Sequence, residues 1–266
     1  MRRFLSLILL GALATPTACG GRGSKTPGGD PVRMSESEYD VARDLWLRQR
    51  KPREALAHAL EAVELDDENH EASHLAALIY LEFCSQGSDD CRLGEAERLV
   101  RQALDAKADF REAKNTLGVV LIHEKRYPEA IQVLKPLTED ILYQTPENAW
   151  GNLGWAYFQH GKLDLAIDAL RRSLAAQPLF CVGAFRLGLA LEKKGELTEA
   201  ASALSQALDT QAPGCSGLQE ALLARGRVHQ RLGQAAEAEA DFKSCLELSA
   251  KSPTGKECRS MMAKLK

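Results

Sequence analysis

The sequence predicts an all-α fold, a right-handed superhelical solenoid of six helical hairpins closed by a C-terminal capping helix. Three observations carry that prediction. Alanine and leucine are abundant while aromatic residues make up only 6% of the 266 positions, a balance that favours helices. Small and apolar residues return in the same order from copy to copy along the chain, and self-similarity of this kind marks a repeat architecture. Within each copy the apolar residues recur at three and four positions, so they form one stripe on a helix.

The chain opens with MRRFLSLILLGALATPTAC, in which Arg2 and Arg3 lead an apolar run from Phe4 to Ala14, the pattern of an export signal. The run is too short to cross a bilayer as an ordinary helix, which takes about 20 residues. Two cleavage readings follow. Cys19 directly after Ala18 suits lipoprotein processing with lipidation of Cys19, although Pro16 and Thr17 replace the residues usual in a lipobox; Ala12-Leu13-Ala14 offers an ordinary signal-peptidase site. Residues 1–18 are thus expected as a signal peptide. Residues 19–35, beginning GGRGSKTPGGDP after the cysteine, are expected as a flexible tether. Gly20 stands where an aspartate would favour the inner membrane, which points to lipid anchoring in the outer one.

The first hairpin is expected over 36–68, marked by Ala55, Ala59 and Ala62, and the second over 69–110, marked by Leu75, Ala76, Ala96 and Ala103. The third, 111–146, shows the frame more fully through Leu117, Gly118, Leu121, Ala130 and Leu134. The fourth, 147–180, shows it best: Trp150, Leu153, Gly154, Tyr157, Gly161, Ala166 and Pro178 stand at the spacing of the tetratricopeptide repeat, which the segment resembles. Gly154 and Ala166 are expected to face each other across that hairpin. Gly161 is expected to make the turn, and Pro178 to end the second helix because it cannot donate the next backbone hydrogen bond. The frame returns in the fifth, 181–218, at Ala184, Leu187, Gly188, Leu191, Gly195, Ala200, Leu204 and Ala207. In the sixth, 219–252, it returns at Leu222, Gly226, Gly233, Ala238, Phe242 and Cys245. The amphipathic stretch 253–266 is expected to cap the open end of the stack.

Six cysteines besides Cys19 in an exported chain make disulfides the default and metal ligation the alternative. The repeat frame pairs Cys84 with Cys91 across the insertion SQGSDD. It pairs Cys245 with Cys258 across the turn at Ser252-Pro253, and Cys181 with Cys215 at successive turns between hairpins. Each closure is worth roughly 2 to 4 kcal/mol.

Other chemistry finds little purchase. A net charge of −3, with 34 basic and 37 acidic residues interleaved and no basic run, argues against nucleic acid as a partner. His70 and His74 lie four apart, but the frame supplies no third metal ligand and there is no His-Glu-x-x-His pattern. GGRGSKT lacks the Gly-Lys-Ser/Thr order of a phosphate loop. No nucleophile motif is present, so neither an enzyme activity, a metal nor a cofactor is expected.

In tetratricopeptide repeats the first helix of each hairpin lines the concave side, and the positions that look into the groove are Val119, Ile122, Trp155, Phe158, Val182, Phe185 and Leu189 here. They form an apolar stripe expected to bind a protein partner, unless neighbouring hairpins bury it. The places that form a cationic clamp in chaperone-binding members hold Asp40, Asp44 and Ser73, so an apolar helix or strand, and not a charged tail, is the expected ligand.

The residues before and after the fourth hairpin are more particular than a generic repeat. The Leu142-Tyr143-x-x-Pro146-Glu147-x-Ala149 run and Gln177-Pro178-Leu179-Phe180-Cys181 resemble the type IV pilus pilotins, the Tgl and PilF/PilW group of outer-membrane lipoproteins with six repeats, and most of all its cysteine-bearing Tgl branch. The resemblance implies a lipoprotein anchored through Cys19 that binds secretin subunits and promotes their assembly into the ring through which the pilus passes. The alternative is a periplasmic lipid-anchored repeat adaptor that regulates a cell-wall or envelope-assembly enzyme.

Overall fold

A computed structural model describes residues 29–209, 215 and 217–265. The predicted leader, Cys19 and the start of the tether lie outside these residues, as does most of the insertion around Cys215. Among the described residues there are thirteen α-helices and no strand.

Twelve helices pair in chain order as hairpins: α1 (Pro31–Leu47) with α2 (Pro52–Leu65), α3 (His70–Ser85) with α4 (Leu93–Ala106), and α5 (Arg111–His123) with α6 (Tyr127–Leu137). Then follow α7 (Pro146–Gln159) with α8 (Leu163–Ala176), α9 (Cys181–Lys194) with α10 (Leu197–Asp209), and α11 (Gln219–Arg231) with α12 (Ala235–Ser249). The last helix, α13 (Pro253–Ala263), packs on α11 and α12. Each odd-numbered helix also touches the next odd-numbered one, whereas the even-numbered helices do not meet one another. A curved stack brings its inner helices together, so the odd helices form the inner face.

A close approach between the two helices of a hairpin recurs along the stack. A Cβ on Gly118 would fall 2.4 Å from Leu134 Cγ, and one on Gly188 2.5 Å from Leu204 Cγ; on Gly226 it would lie 2.5 Å from Phe242 Cε1. Gly154 follows the same rule: its neighbour is chiefly Leu170, 2.6 Å from the position a Cβ would take, with the Ala166 carbonyl oxygen behind at 3.2 Å. The small residue on the inner helix therefore makes room for a large apolar one on the outer helix, more than for the alanine opposite it. Leu134, Leu170, Leu204 and Phe242 are fully buried as a result. Removing an apolar side chain of that size from water contributes about 1.5 to 3 kcal/mol.

The turns inside the hairpins need a left-handed residue. Gly161, Gly195 and Gly233 supply it in the later hairpins, with φ of +81°, +92° and +77°. In the first and third, Arg50 (φ +57°) and Lys125 (φ +62°) take that conformation, which costs a residue with a Cβ roughly 1 kcal/mol.

The fold begins earlier than the expected boundary at 36. Asp30 caps α1 by accepting from the Val32 amide at 3.3 Å, and Pro31 occupies the first turn, where its missing N–H costs nothing. Ser35 is fully buried; its Oγ donates to the Ala62 carbonyl at 2.7 Å and accepts from Asn69 Nδ2 at 2.8 Å. These bonds draw residues of the expected tether into the first helix.

At the other end α13 closes the stack. Gln219 Nε2 donates to the carbonyls of Cys245 (2.6 Å) and Ser249 (2.8 Å), which lie in the last turns of α12. Ser252 Oγ donates to Gln219 Oε1 at 2.6 Å and accepts from the Gly255 amide at 2.9 Å, so one residue both caps α13 and ties it to α11. Gly255 passes so near the end of α12 that a Cβ there would lie 1.9 Å from the Ser249 carbonyl oxygen.

Candidate protein-binding groove

The groove is built on α5, α7 and α9, three successive inner helices. Val119, Ile122 and Trp155 line one cavity of about 340 Å³, which also takes in Asn152 and Arg186. Of the other residues expected in the stripe, Phe158 lies beside it, its ring stacked on Trp155 with centroids 4.9 Å apart and planes 13° from parallel. Val182, Phe185 and Leu189 are half-buried on α9 and do not line that cavity; Phe158, Phe185 and Leu189 pack against the core formed by α8 to α11. Ile122 is the most covered, 8% exposed, because it also packs in the core of the first half. The stripe is therefore graded: Val119, Trp155 and Phe158 offer partly exposed surface at one place, and Ile122 supplies its floor.

Cations interrupt this apolar surface. The Arg186 guanidinium lies 5.3 Å from the centroid of the Trp155 ring, and Lys193 Nζ lies 4.9 Å from that of Phe158. Contacts of this kind contribute about 0.5 to 2 kcal/mol, more as water is excluded. Arg186 Nη1 donates to the Gly151 carbonyl at 3.2 Å and to Asn152 Oδ1 at 2.9 Å, and Asn152 Nδ2 in turn donates to Asn115 Oδ1 at 3.1 Å. A polar ladder thus crosses the inner face from α5 through α7 to α9. Burial lowers the pKa of Arg186 to about 10. His123, at the edge of the cavity, is also lowered, by burial first and by the charge of Arg186 second.

Arg186, Asn152 and Lys193 were not among the expected groove residues. Arg186 follows Phe185 directly, one place past a residue of the expected stripe. Its length carries the guanidinium back to the neighbouring helix. A long cation one place beyond a groove position was the available signal.

The six cysteines among the described residues meet in three pairs. Cys84 and Cys91, with Cα atoms 4.4 Å apart, close the loop between α3 and α4. Cys181 begins α9 and meets Cys215 just ahead of α11 at 5.6 Å between Cα atoms. Cys245 on α12 and Cys258 on α13, 6.4 Å apart at Cα, fasten the cap, and both are fully buried. His70 and His74 are drawn apart in role: His70 Nε2 lies 3.4 Å from Lys107 Nζ, whereas His74 Nε2 meets Thr116 Oγ1 at 2.8 Å. One cluster among the described residues, Glu38, His58 and Glu61, brings ligand atoms within 4.8 Å of one another. Glu38 and His58 are hydrogen-bonded across α1 and α2, and Glu61 is exposed, the arrangement of an inter-helix polar pair.

The described residues at Asp40, Asp44 and Ser73 form no cationic clamp. Asp40 and Asp44 are paired with Arg43 and Arg48, and Ser73 is fully buried with its Oγ unbonded.

Tetratricopeptide-repeat family models match residues 92–138, 147–180 and 185–253, together more than half of the chain. The type IV pilus assembly protein PilF of Pseudomonas aeruginosa is 26% identical over 170 residues, 61% of this chain and 65% of its own length. The crystal structure of PilW, described as a widely conserved type IV pilus biogenesis factor, superposes with a TM-score of 0.70 at 26% identity, over 84% of this chain and 96% of that one. The structure of P. aeruginosa PilF gives 0.66 at 19% identity, over 87% of this chain and 99% of that one, a likeness of fold. The chain belongs to the tetratricopeptide-repeat proteins and is related to the type IV pilus assembly factors PilF and PilW.

Proposed function

We propose that this chain is a pilotin of the Tgl-like branch, an outer-membrane lipoprotein anchored through Cys19 that binds secretin subunits and promotes their localisation and assembly for pilus-dependent motility. The observation that carries the reading is the stacked pair Trp155 and Phe158 on the inner face of a repeat protein related to pilus assembly factors. An aromatic pair left half-exposed has apolar area to bury against a partner, and repeat proteins bind along such inner faces.

In this mechanism the groove covers an apolar surface of a secretin subunit until neighbouring subunits cover it instead. No nucleotide or bond-making step is required, only exchange of one apolar contact for another. The leader and Cys19 support export and tethering; the acidic and basic residues elsewhere, evenly mixed, give no field that would compete for the bound segment.

Deletion of the gene tests the reading. Heat-resistant secretin multimers should disappear from the outer-membrane fraction while monomers remain, and a Cys19→Ser allele should release the protein from the membrane. Normal multimers in the deletion strain would refute it.

A further inference from the structure

The cavity at the centre of the groove holds a cation with no anion. Arg186 is half-buried, and its polar partners among the described residues are a backbone carbonyl and the amide oxygen of Asn152. None of the residues that line the cavity is Asp or Glu, although the chain as a whole is net acidic. A guanidinium drawn partly out of water is ordinarily matched by a carboxylate. Elsewhere in this protein it is: Arg225 forks onto the buried Asp241 at 2.7 Å, and Arg227 meets Glu192 at 3.0 Å.

A second cation aims at the same space. Lys125 lines the cavity from the turn between α5 and α6, where it holds φ +62° at the position that later hairpins fill with glycine. Two cations, Lys125 and Arg186, thus border one opening that no carboxylate lines.

The geometry points to a carboxylate-recognition site, in which the free N–H groups of Arg186, assisted by Lys125, bind the side-chain carboxylate of an Asp or Glu flanked by apolar residues in the partner segment. A side chain fits better than a chain terminus. Apolar surface lies on α5 at Val119 and Ile122 and on α7 at Trp155 and Phe158, so a segment that covers both continues past Arg186. This inference rests on the groove reading above and adds to it a single polar contact that fixes the register of an otherwise apolar segment. The ligand is then the expected apolar helix or strand with one acidic side chain within it.

Three acetylated leucine-rich decapeptides test it by titration of the purified mature protein, read by tryptophan fluorescence. One is amidated with a central Glu, one is amidated with Gln in its place, and one carries Gln and a free C-terminal carboxylate. The Glu peptide should bind at least about tenfold more tightly than either other peptide, the range of a charge-assisted hydrogen bond away from water. Arg186→Gln should bring the three affinities together while leaving the Gln peptides bound, and Arg186→Lys should keep part of the preference. Equal binding of all three by the wild-type protein, a preference that survives Arg186→Gln, or a preference for the free terminus alone would overturn the carboxylate site and leave the groove standing. Failure of every peptide to bind would overturn both.

Discussion

The guanidinium of Arg186 lies over the indole of Trp155, 5.3 Å from the ring centroid, with its nearest polar partners a carbonyl and an amide in place of an acid. The half-buried guanidinium is matched by two neutral hydrogen bonds and no carboxylate, so Arg186→Met should stabilise the fold by about 1 kcal/mol. Urea unfolding followed by circular dichroism measures the shift; a loss of stability of similar size would mean that Arg186 serves the fold itself.

Lys125 is expected to behave in the same way for a different reason. Lys125→Gly removes a Cβ from a left-handed turn and should raise stability by roughly 0.5 to 1 kcal/mol. Gly161→Ala, in the equivalent turn one hairpin later, should lower it by a similar amount. Thermal melts of the two variants check the pair, and changes of the same sign would show that the turns are not equivalent.

His74 sets a pH limit on the first half of the stack. Its ring packs edge-on against Phe110 and meets Thr116 Oγ1, which itself donates to the Glu112 carbonyl at 2.9 Å, so the histidine nitrogen is the donor. Burial, and secondarily the charge of His70, lowers its pKa to about 4 from 6.5. Between these values the unfolded chain binds a proton that the folded chain refuses. Stability should therefore be full above about pH 6.5 and fall as pH drops toward 4, by up to about 3 kcal/mol from this group. Comparing unfolding at pH 7 and 4.5 in wild type and His74→Gln isolates the effect; an equal pH dependence in both would remove His74 as its source.

The cap depends on one missing side chain. With the Ser249 carbonyl oxygen 1.9 Å from where a Cβ would stand, Gly255→Ala must displace α13 or the end of α12. The bonds among Gln219, Ser252 and Cys245 would go with it, a loss of about 2 kcal/mol or more. Hydrogen exchange should speed up in α13 and the last turn of α12 while α5 to α9 stay protected. Uniform protection would contradict the close approach.

The hairpins were legible because their signal is local and repeated. Gly118, Gly154, Gly188 and Gly226 each sit a fixed distance before the residue they make room for, and copies reinforce one another. What Gly154 faces was less legible, since spacing alone does not say that Leu170 reaches the inner helix ahead of Ala166. The early start of α1 depends on Ser35 finding Ala62 and Asn69, contacts across 27 and 34 residues that no local pattern marks. Arg186 escaped notice for a related reason. Its significance lies in the absence of a carboxylate among the cavity-lining residues that three helices and a turn bring together, and a sequence displays residues, not what they fail to meet.

The proposed function has the inner face at Trp155 and Phe158 hold a secretin subunit. Its most direct test is an allele carrying Trp155→Ala and Phe158→Ala in place of the wild-type gene, scored by heat-resistant secretin multimers in the outer-membrane fraction, with helical circular dichroism and cellular level of the variant as controls. Multimers should fall at least about tenfold with the variant folded and present, as expected when an aromatic anchor worth about 2 kcal/mol or more is removed. Wild-type amounts of multimer alongside that folded variant would contradict it.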